Sequence, residues 1–297
     1  MFSAVSGTFD IRKLYLANRR WKNRTGLPEM SDSECVEEFM AELPAANVLG
    51  INICALRVDE LHQQILSAIV QNQKKMILHA NIYGLNLACE QPWLHDFLNS
   101  ADLVFCDGYG VILGARMLGW YIPERITYAD WAWQLAGFAS QNSISLFFLG
   151  GQPGIAEKAA MNLQSRFPNL KIVGCHDGFF DKSPENQENE EVLKQINTTH
   201  PDILLVGFGM PLQEKWLMEN WPRIDTHVGL TGGAVFDYLS GEVPRAPRWM
   251  TDHGLEWLGR LVIEPRRLWK RYLIGNPLFF WRVLKQRLGL IQFYEPS

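Results

Sequence analysis

Asn81, Asp107, Gln152, Gln213 and Asp237 share one setting in this 297-residue chain: each closely follows a short apolar run and has glycine nearby. In open α/β sheets, ligands bind outside the carboxyl ends of the strands. Glycine there lets the backbone turn tightly and lets a ligand approach. Asp107 is the foremost candidate, in Phe105-Cys-Asp-Gly108-Tyr-Gly110, between an apolar run (101–106) and a helix-spaced segment (111–119). A carboxylate so placed accepts a proton from a substrate hydroxyl. The competing reading is that Asp107 caps the following helix. A second candidate is the turn Gly150-Gly151-Gln152-Pro153-Gly154 ahead of a helix over 155–167. Free N–H groups and the helix dipole would hold a phosphate there. The match to G-x-G-x-x-G is incomplete, so an ordinary glycine turn stands as the alternative. The chain has no D-x-D, and its histidines lack metal-ligand spacing, so no metal is expected.

Alternating elements are needed to bring these positions together. Strands are predicted at 47–53, 75–80, 101–106, 143–149, 170–174, 202–207 and 227–230, and helices at 57–73, 84–98, 111–119 and 155–167. This alternation predicts a parallel α/β sheet. With the strand ends on one edge, they line a cleft for a polar ligand, a nucleotide or a sugar. The segment 181–190 reads as an exposed loop and helix start.

Composition narrows the class. Hydrophobic residues make up 47% and charged residues 20%, as in ordinary globular chains. A net charge of −4 does not support a nucleic-acid partner. Five cysteines without a C-x-x-C pair suit a reducing cytoplasm. No secretory signal is visible, and no run approaches the roughly 18 apolar residues that span a bilayer.

Three segments are expected. Residues 1–46 form an extension, basic at first, with a Ser31/Glu34 capping-box pattern and an amphipathic helix over 33–43. That helix docks on its own domain or contributes to a homo-oligomer. Residues 47–250 form the α/β domain. Residues 251–297 form a basic, Trp-rich helical segment carrying Arg260, Arg266, Arg267, Lys270, Arg271, Arg282, Lys285 and Arg287. Pro265 and Gly275-Asn276-Pro277 should divide it into two or three short helices. Basic and aromatic residues together suit an anionic membrane surface; packing of the Trp/Leu face on the domain is the alternative. Arg267 and Arg271, four apart, would share a helix face and grip a phosphate together.

Several motifs, in order and spacing over about residues 47–275, resemble the WecG/TagA/CpsF glycosyltransferases (glycosyltransferase family 26). They are the Asn81 strand end, Cys-Asp107-Gly-Tyr-Gly, Arg125-Ile-Thr-Tyr-Ala-Asp130, Leu-Gly150-Gly-Gln-Pro-Gly and Gly207-Phe-Gly209-Met-Pro211-Leu-Gln213-Glu. Further on come Gly232-Gly233-Ala-Val-Phe-Asp237, Arg245-Ala-Pro, Gly254-Leu-Glu-Trp-Leu-Gly-Arg260 and Glu264-Pro-Arg-Arg-Leu-Trp-Lys-Arg-Tyr272. The resemblance implies a Rossmann-like sheet (GT-E type) with a C-terminal membrane-binding appendage. It implies an inverting, metal-independent transfer from a UDP-sugar to a polyprenyl-diphosphate-linked sugar, serving cell-surface polysaccharide synthesis. The sugar would be N-acetylmannosamine, its uronic acid or glucose. The enzyme would work without a cofactor, peripherally on the cytoplasmic face of the membrane.

The resemblance also carries roles to Asp107 as catalytic base, Gln213 as a pocket residue and Asp237 as a nucleotide contact. Arg260 and Arg267 become diphosphate contacts, on UDP or on the lipid. His79 stands where a pocket threonine is expected, Lys270 where a third arginine is expected, and Tyr128 where a glycine is expected. Arg271 would stand in for the missing fork. Asn81, Arg125, Gln152, Pro211 and the glycines at 108, 150, 151, 209, 232 and 233 complete the substrate-binding set. Two rival readings stand beside this one: a dinucleotide-dependent oxidoreductase, and a non-catalytic membrane scaffold.

Overall fold

A computed structural model describes residues 43–291 and 293. The N-terminal basic run, the Ser31/Glu34 pattern, the 33–43 helix and its expected oligomeric contact lie outside those residues.

Six strands form one parallel sheet: β3 (Lys75–Ala80), β4 (Leu103–Cys106), β5 (Ser145–Gly150), β6 (Lys171–His176), β7 (Ile203–Gly207) and β8 (Val228–Thr231). Their spatial order is β4-β3-β8-β7-β5-β6. Parallel strands buried on both faces read as unbroken apolar runs, as LVFC and ILLVG do here. Their alternate residues feed two cores. Helices α1 (Val58–Val70), α5 (Tyr128–Asn142), α6 (Ile155–Arg166) and α9 (Val235–Ser240) cover the face of Phe105, Phe148 and Leu205. The face of Leu78, Val104, Phe147 and Val206 is covered by α2 (Ile82–Glu90), α3 (Pro92–Asn99), α4 (Tyr109–Met117), α7 (Gln187–Thr199) and α8 (Leu212–Asn220).

The segment 47–53, read as one core strand, is instead a hairpin. Strands β1 (Ala45–Val48) and β2 (Ile51–Cys54) pair antiparallel in a separate two-stranded sheet. Leu49 and Gly50, at φ 53° and 80°, form its two-residue turn. Positive φ at both central residues matches the twist of a tight hairpin. A leucine rarely adopts it, so the apolar run hid the turn. The helix predicted over 84–98 is two helices. Gln91, before Pro92, is extended, because the proline ring disfavours a helical preceding residue.

The C-terminal segment departs in the opposite sense. After α10 (Arg248–Asp252) and α11 (Glu256–Ile263), helix α12 (Pro265–Trp269) runs through a π turn (Lys270–Ile274) into α13 (Gly275–Arg287). Gly275-Asn276-Pro277 therefore does not divide the helix. The wider π turn falls just before Pro277, where the ring would clash with a carbonyl one turn earlier. Phe279 and Val283 of α13 are fully buried in the core. Arg282 donates to Asn86 and Glu90 of α2. None of the described helices is long and apolar enough to cross a membrane.

Candidate active site

The carboxyl ends of β3, β4, β5, β7 and β8 meet the C-terminal segment across a cleft of about 1110 Å³. Asp107 lies in it, directly after β4. It does not cap α4: Gly108 holds the N-cap position and no side chain caps that helix. Gly108 has φ 131° and open space where a side chain would stand, so the turn exposes Asp107 without covering it. Asn81, after β3, caps α2 by accepting from the Gly84 N–H at 2.9 Å, and it also lines the cleft.

Burial pushes Asp107 from 3.8 up to about 6, against the pull of Arg260, Arg271 and Arg125 and the Asn81 side chain. It is thus ionised at neutral pH yet basic enough to take a proton. His79 Nε2 lies 3.9 Å from Asp107 Oδ2. Burial lowers the imidazole to about 4, so it is neutral.

The glycine loops after β7 and β8 are held from beneath by Gln213. This side chain is fully buried. Its Oε1 accepts from the N–H groups of Gly209 (3.1 Å) and Gly233 (2.9 Å), and its Nε2 donates to Glu214 Oε1 at 2.7 Å. Burial raises Glu214 to about 7. Gln213 therefore shapes the cleft and does not line it. Gly150 is likewise structural: a Cβ there would stand 2.3 Å from the Gly207 carbonyl oxygen. Pro211 sits at the N-cap position of α8, flanked by cleft-lining Met210 and Leu212. Gly151, Gln152, Gly209, Gly232, Gly233 and Asp237 all line the cleft. Burial, before any charge, raises Asp237, and Arg267 opposes that shift.

Positive charge comes from the C-terminal segment. Arg260, Arg267, Lys270 and Arg271 all line the cleft. Arg267 and Arg271 do not act as one clamp. Arg267 donates to Glu264 at 2.6 Å, whereas Arg271 lies over the Tyr83 ring, 4.5 Å from its centroid. Burial lowers Arg271, a sign of a cation with too little negative charge around it. Arg260 is held against Tyr238 at 5.5 Å, and its Nε has no hydrogen-bond partner among the described residues. The buried Tyr128 hydroxyl and Thr127 Oγ1, also at the cleft, are likewise without one among the described residues. Orphaned buried donors and acceptors mark a place where a polar ligand completes the bonding.

An ion-pair chain fixes this segment to the sheet edge. Arg245 bonds Asp130 through both nitrogens of its fork and lies 3.5 Å from Glu256, which is 3.6 Å from Arg125. The motifs contained Arg125, Asp130 and Arg245, but spacing alone did not reveal Glu256 as their hub. Also missed were Tyr83 and, in the loop after β6, Gly178 and Phe179. The rule that picks out residues at strand ends would have found 178–179.

The chain belongs to the Glycosyl transferase WecG/TagA/CpsF family, whose model matches residues 46–292. It is a glycosyltransferase, which sets aside the oxidoreductase and scaffold readings. Among its relatives is the N-acetylglucosaminyldiphosphoundecaprenol N-acetyl-beta-D-mannosaminyltransferase of Bacillus subtilis (strain 168). It is 33% identical over 199 residues, 67% of this chain and 75% of the relative. Enzymes of the same name from Bacillus spizizenii (strain ATCC 23059 / NRRL B-14472 / W23) and Staphylococcus aureus (strain MRSA252) are 30% and 28% identical. They match over 72% and 71% of this chain and 80% of each relative.

Proposed function

We propose that this enzyme transfers an N-acetylmannosamine-type sugar from a UDP-sugar to a polyprenyl-diphosphate-linked N-acetylglucosamine, with inversion and without a metal. The observation that carries this reading is a carboxylate at a strand end, Asp107, sharing one cleft with Arg125, Arg260 and Arg271. The names of the relatives support the acceptor and the sugar class. Asp107 takes the proton of the acceptor hydroxyl while that oxygen attacks the anomeric carbon from the face opposite UDP. Positioned general-base help is worth about 10²–10⁴-fold. The leaving diphosphate gains negative charge, and Arg260, Arg267, Lys270 and Arg271 offset it. The glycine loops at 209 and 232–233, with Gln152 and Asp237, hold the nucleotide.

The C-terminal segment brings the enzyme to an anionic membrane on its cytoplasmic face. Trp249, Val262, Trp269, Leu273, Ile274, Trp281 and Leu288 are exposed there, interleaved with the basic residues. Deleting the segment is not a clean test, because Phe279 and Val283 belong to the core. Replacing Trp249, Val262 and Trp281 by serine is the better probe, read by sedimentation with anionic vesicles.

The decisive experiment is a titration with UDP and a panel of UDP-sugars, read by melting temperature. It is followed by transfer to a lipid-diphosphate N-acetylglucosamine acceptor with and without chelator, and by NMR of the product's anomeric centre. Stabilisation by UDP, transfer indifferent to chelator and an inverted product are the expected results. No response to any uridine nucleotide would overturn the reading.

A further inference from the structure

The cleft floor holds a histidine that the proton transfer described above does not use. His79 is the next-to-last residue of β3, beside Asp107, and is 3% exposed. Its Nδ1 lies 3.3 Å from Thr231 Oγ1. In the tautomer with its hydrogen on Nδ1, that nitrogen donates to Thr231 Oγ1. Nε2 is then bare, with its lone pair on the side of Asp107 Oδ2 at 3.9 Å. The ring is fixed by Phe105, at 6.1 Å between centroids, and by Tyr128, edge-on at 5.1 Å.

A bare nitrogen gives a carboxylate nothing. It accepts a hydrogen bond once the carboxylate has become a carboxylic acid. We infer that His79 is a positioning residue for Asp107, whose Nε2 accepts a hydrogen bond from the Asp107 carboxyl group after that group has taken the acceptor's proton. The inference rests on the reading of Asp107 as the base. In the step, the acceptor O–H bond breaks and its electron pair stays on the attacking oxygen. The proton forms an O–H bond at Oδ2, and no proton passes to the imidazole. The separation shortens by about 1 Å to reach ordinary hydrogen-bond length. Such bonds are often long before the reacting complex forms. Neutrality of the ring is what this role needs, and burial with Arg271 nearby enforces it.

The test compares His79→Phe, His79→Gln and His79→Asn with the native enzyme, using pH profiles of kcat/KM and separate kcat and KM values. Glutamine keeps an acceptor near the place of Nε2, whereas asparagine reaches only as far as Nδ1. Arg125, Arg260, Arg271, Tyr128, Glu256, Cys106 and Asn81 also face or feel Asp107. All stay in every variant, so a shift reads His79 alone. For Phe and Asn, kcat falls about tenfold with the donor KM unchanged. The acid limb moves down by roughly one pH unit, because the protonated acid has lost its partner. Gln recovers most of both. Equal losses in all three variants, or an unmoved acid limb, overturn the inference. Long-range ¹H–¹⁵N spectra of the histidine-labelled native enzyme provide a readout independent of activity and of variant folding. The expected form is hydrogen on Nδ1 and bare Nε2; hydrogen on Nε2 overturns it. Asp107→Asn separates the two claims. Retained turnover there defeats the base itself, while lost turnover with an unmoved acid limb in His79→Phe defeats only the role of His79.

Discussion

Asp107→Asn should make the enzyme more stable while removing its activity. Burial raises this carboxyl from 3.8 to about 6 even though three arginines and Asn81 pull it down. Between those values the native state binds more protons than the unfolded chain. This group's contribution to stability is therefore highest below about pH 4 and falls as pH rises through 6. The shift corresponds to about 3 kcal/mol at neutral pH. Asparagine carries no charge to desolvate and has nearly the same shape. At roughly 2–4 °C per kcal/mol for a chain of this size, its melting temperature at pH 7.5 should rise by up to roughly 6–12 °C. The gain should vanish at about pH 4, where the native carboxyl is protonated as well. Transfer should fall by about 10²–10⁴-fold. Melts of both proteins at the two pH values, with a transfer assay at pH 7.5, check this. A variant no more stable than the native enzyme at pH 7.5 would refute the argument that Asp107 is held ionised at a cost.

Other changes test the supports. Gln213→Ala leaves the Gly209 and Gly233 N–H groups without their acceptor. At about 1–3 kcal/mol for each buried group, denaturant melts should shift, and KM for the nucleotide sugar should rise more than kcat falls. Gly150→Ala forces a Cβ to 2.3 Å from the Gly207 carbonyl oxygen, an overpacking worth about 1–3 kcal/mol; an unchanged melting curve would count against that reading. Arg245→Ala should cost less than about 1 kcal/mol in stability, since its Asp130 partner is half exposed. It should lower kcat by loosening α11, which carries Arg260, and Arg245→Lys should fail to restore it because the fork is lost.

Asp107, Asn81 and the glycine turns were legible because a parallel strand announces its own end: the apolar run stops and the ligand edge begins. That rule depends only on chain-local pattern. It failed wherever tertiary contact chose among local options. Leu49 accepts a left-handed conformation because its side chain is fully buried and its N–H donates to Gln286 Oε1 at 2.8 Å, 237 residues away. Gln213 looks like a ligand contact from its place after a glycine loop, yet it faces inward and holds two loops. Arg267 and Arg271 have helical spacing, but they find different partners, Glu264 and the Tyr83 ring. Glu256 joins Arg125 and Arg245 through space, which no spacing encodes.

The bonds between Gln286 and the β1–β2 turn have a consequence for how the molecule is made. Besides the Leu49 N–H, Gln286 reaches Asn47, and Phe279 and Val283 fill the same core as Val48 and Ile53. The first described strand and the last helix are thus partners in one packing unit. During synthesis the sheet can assemble from the N-terminal side. The hairpin must wait for residues made more than two hundred positions later, and contacts of such long sequence separation form slowly. Until α13 docks, Arg271, in the π turn that leads into it, has no fixed place beside Asp107, so a nascent or C-terminally clipped chain would be an incomplete fold lacking part of the cationic wall of its cleft.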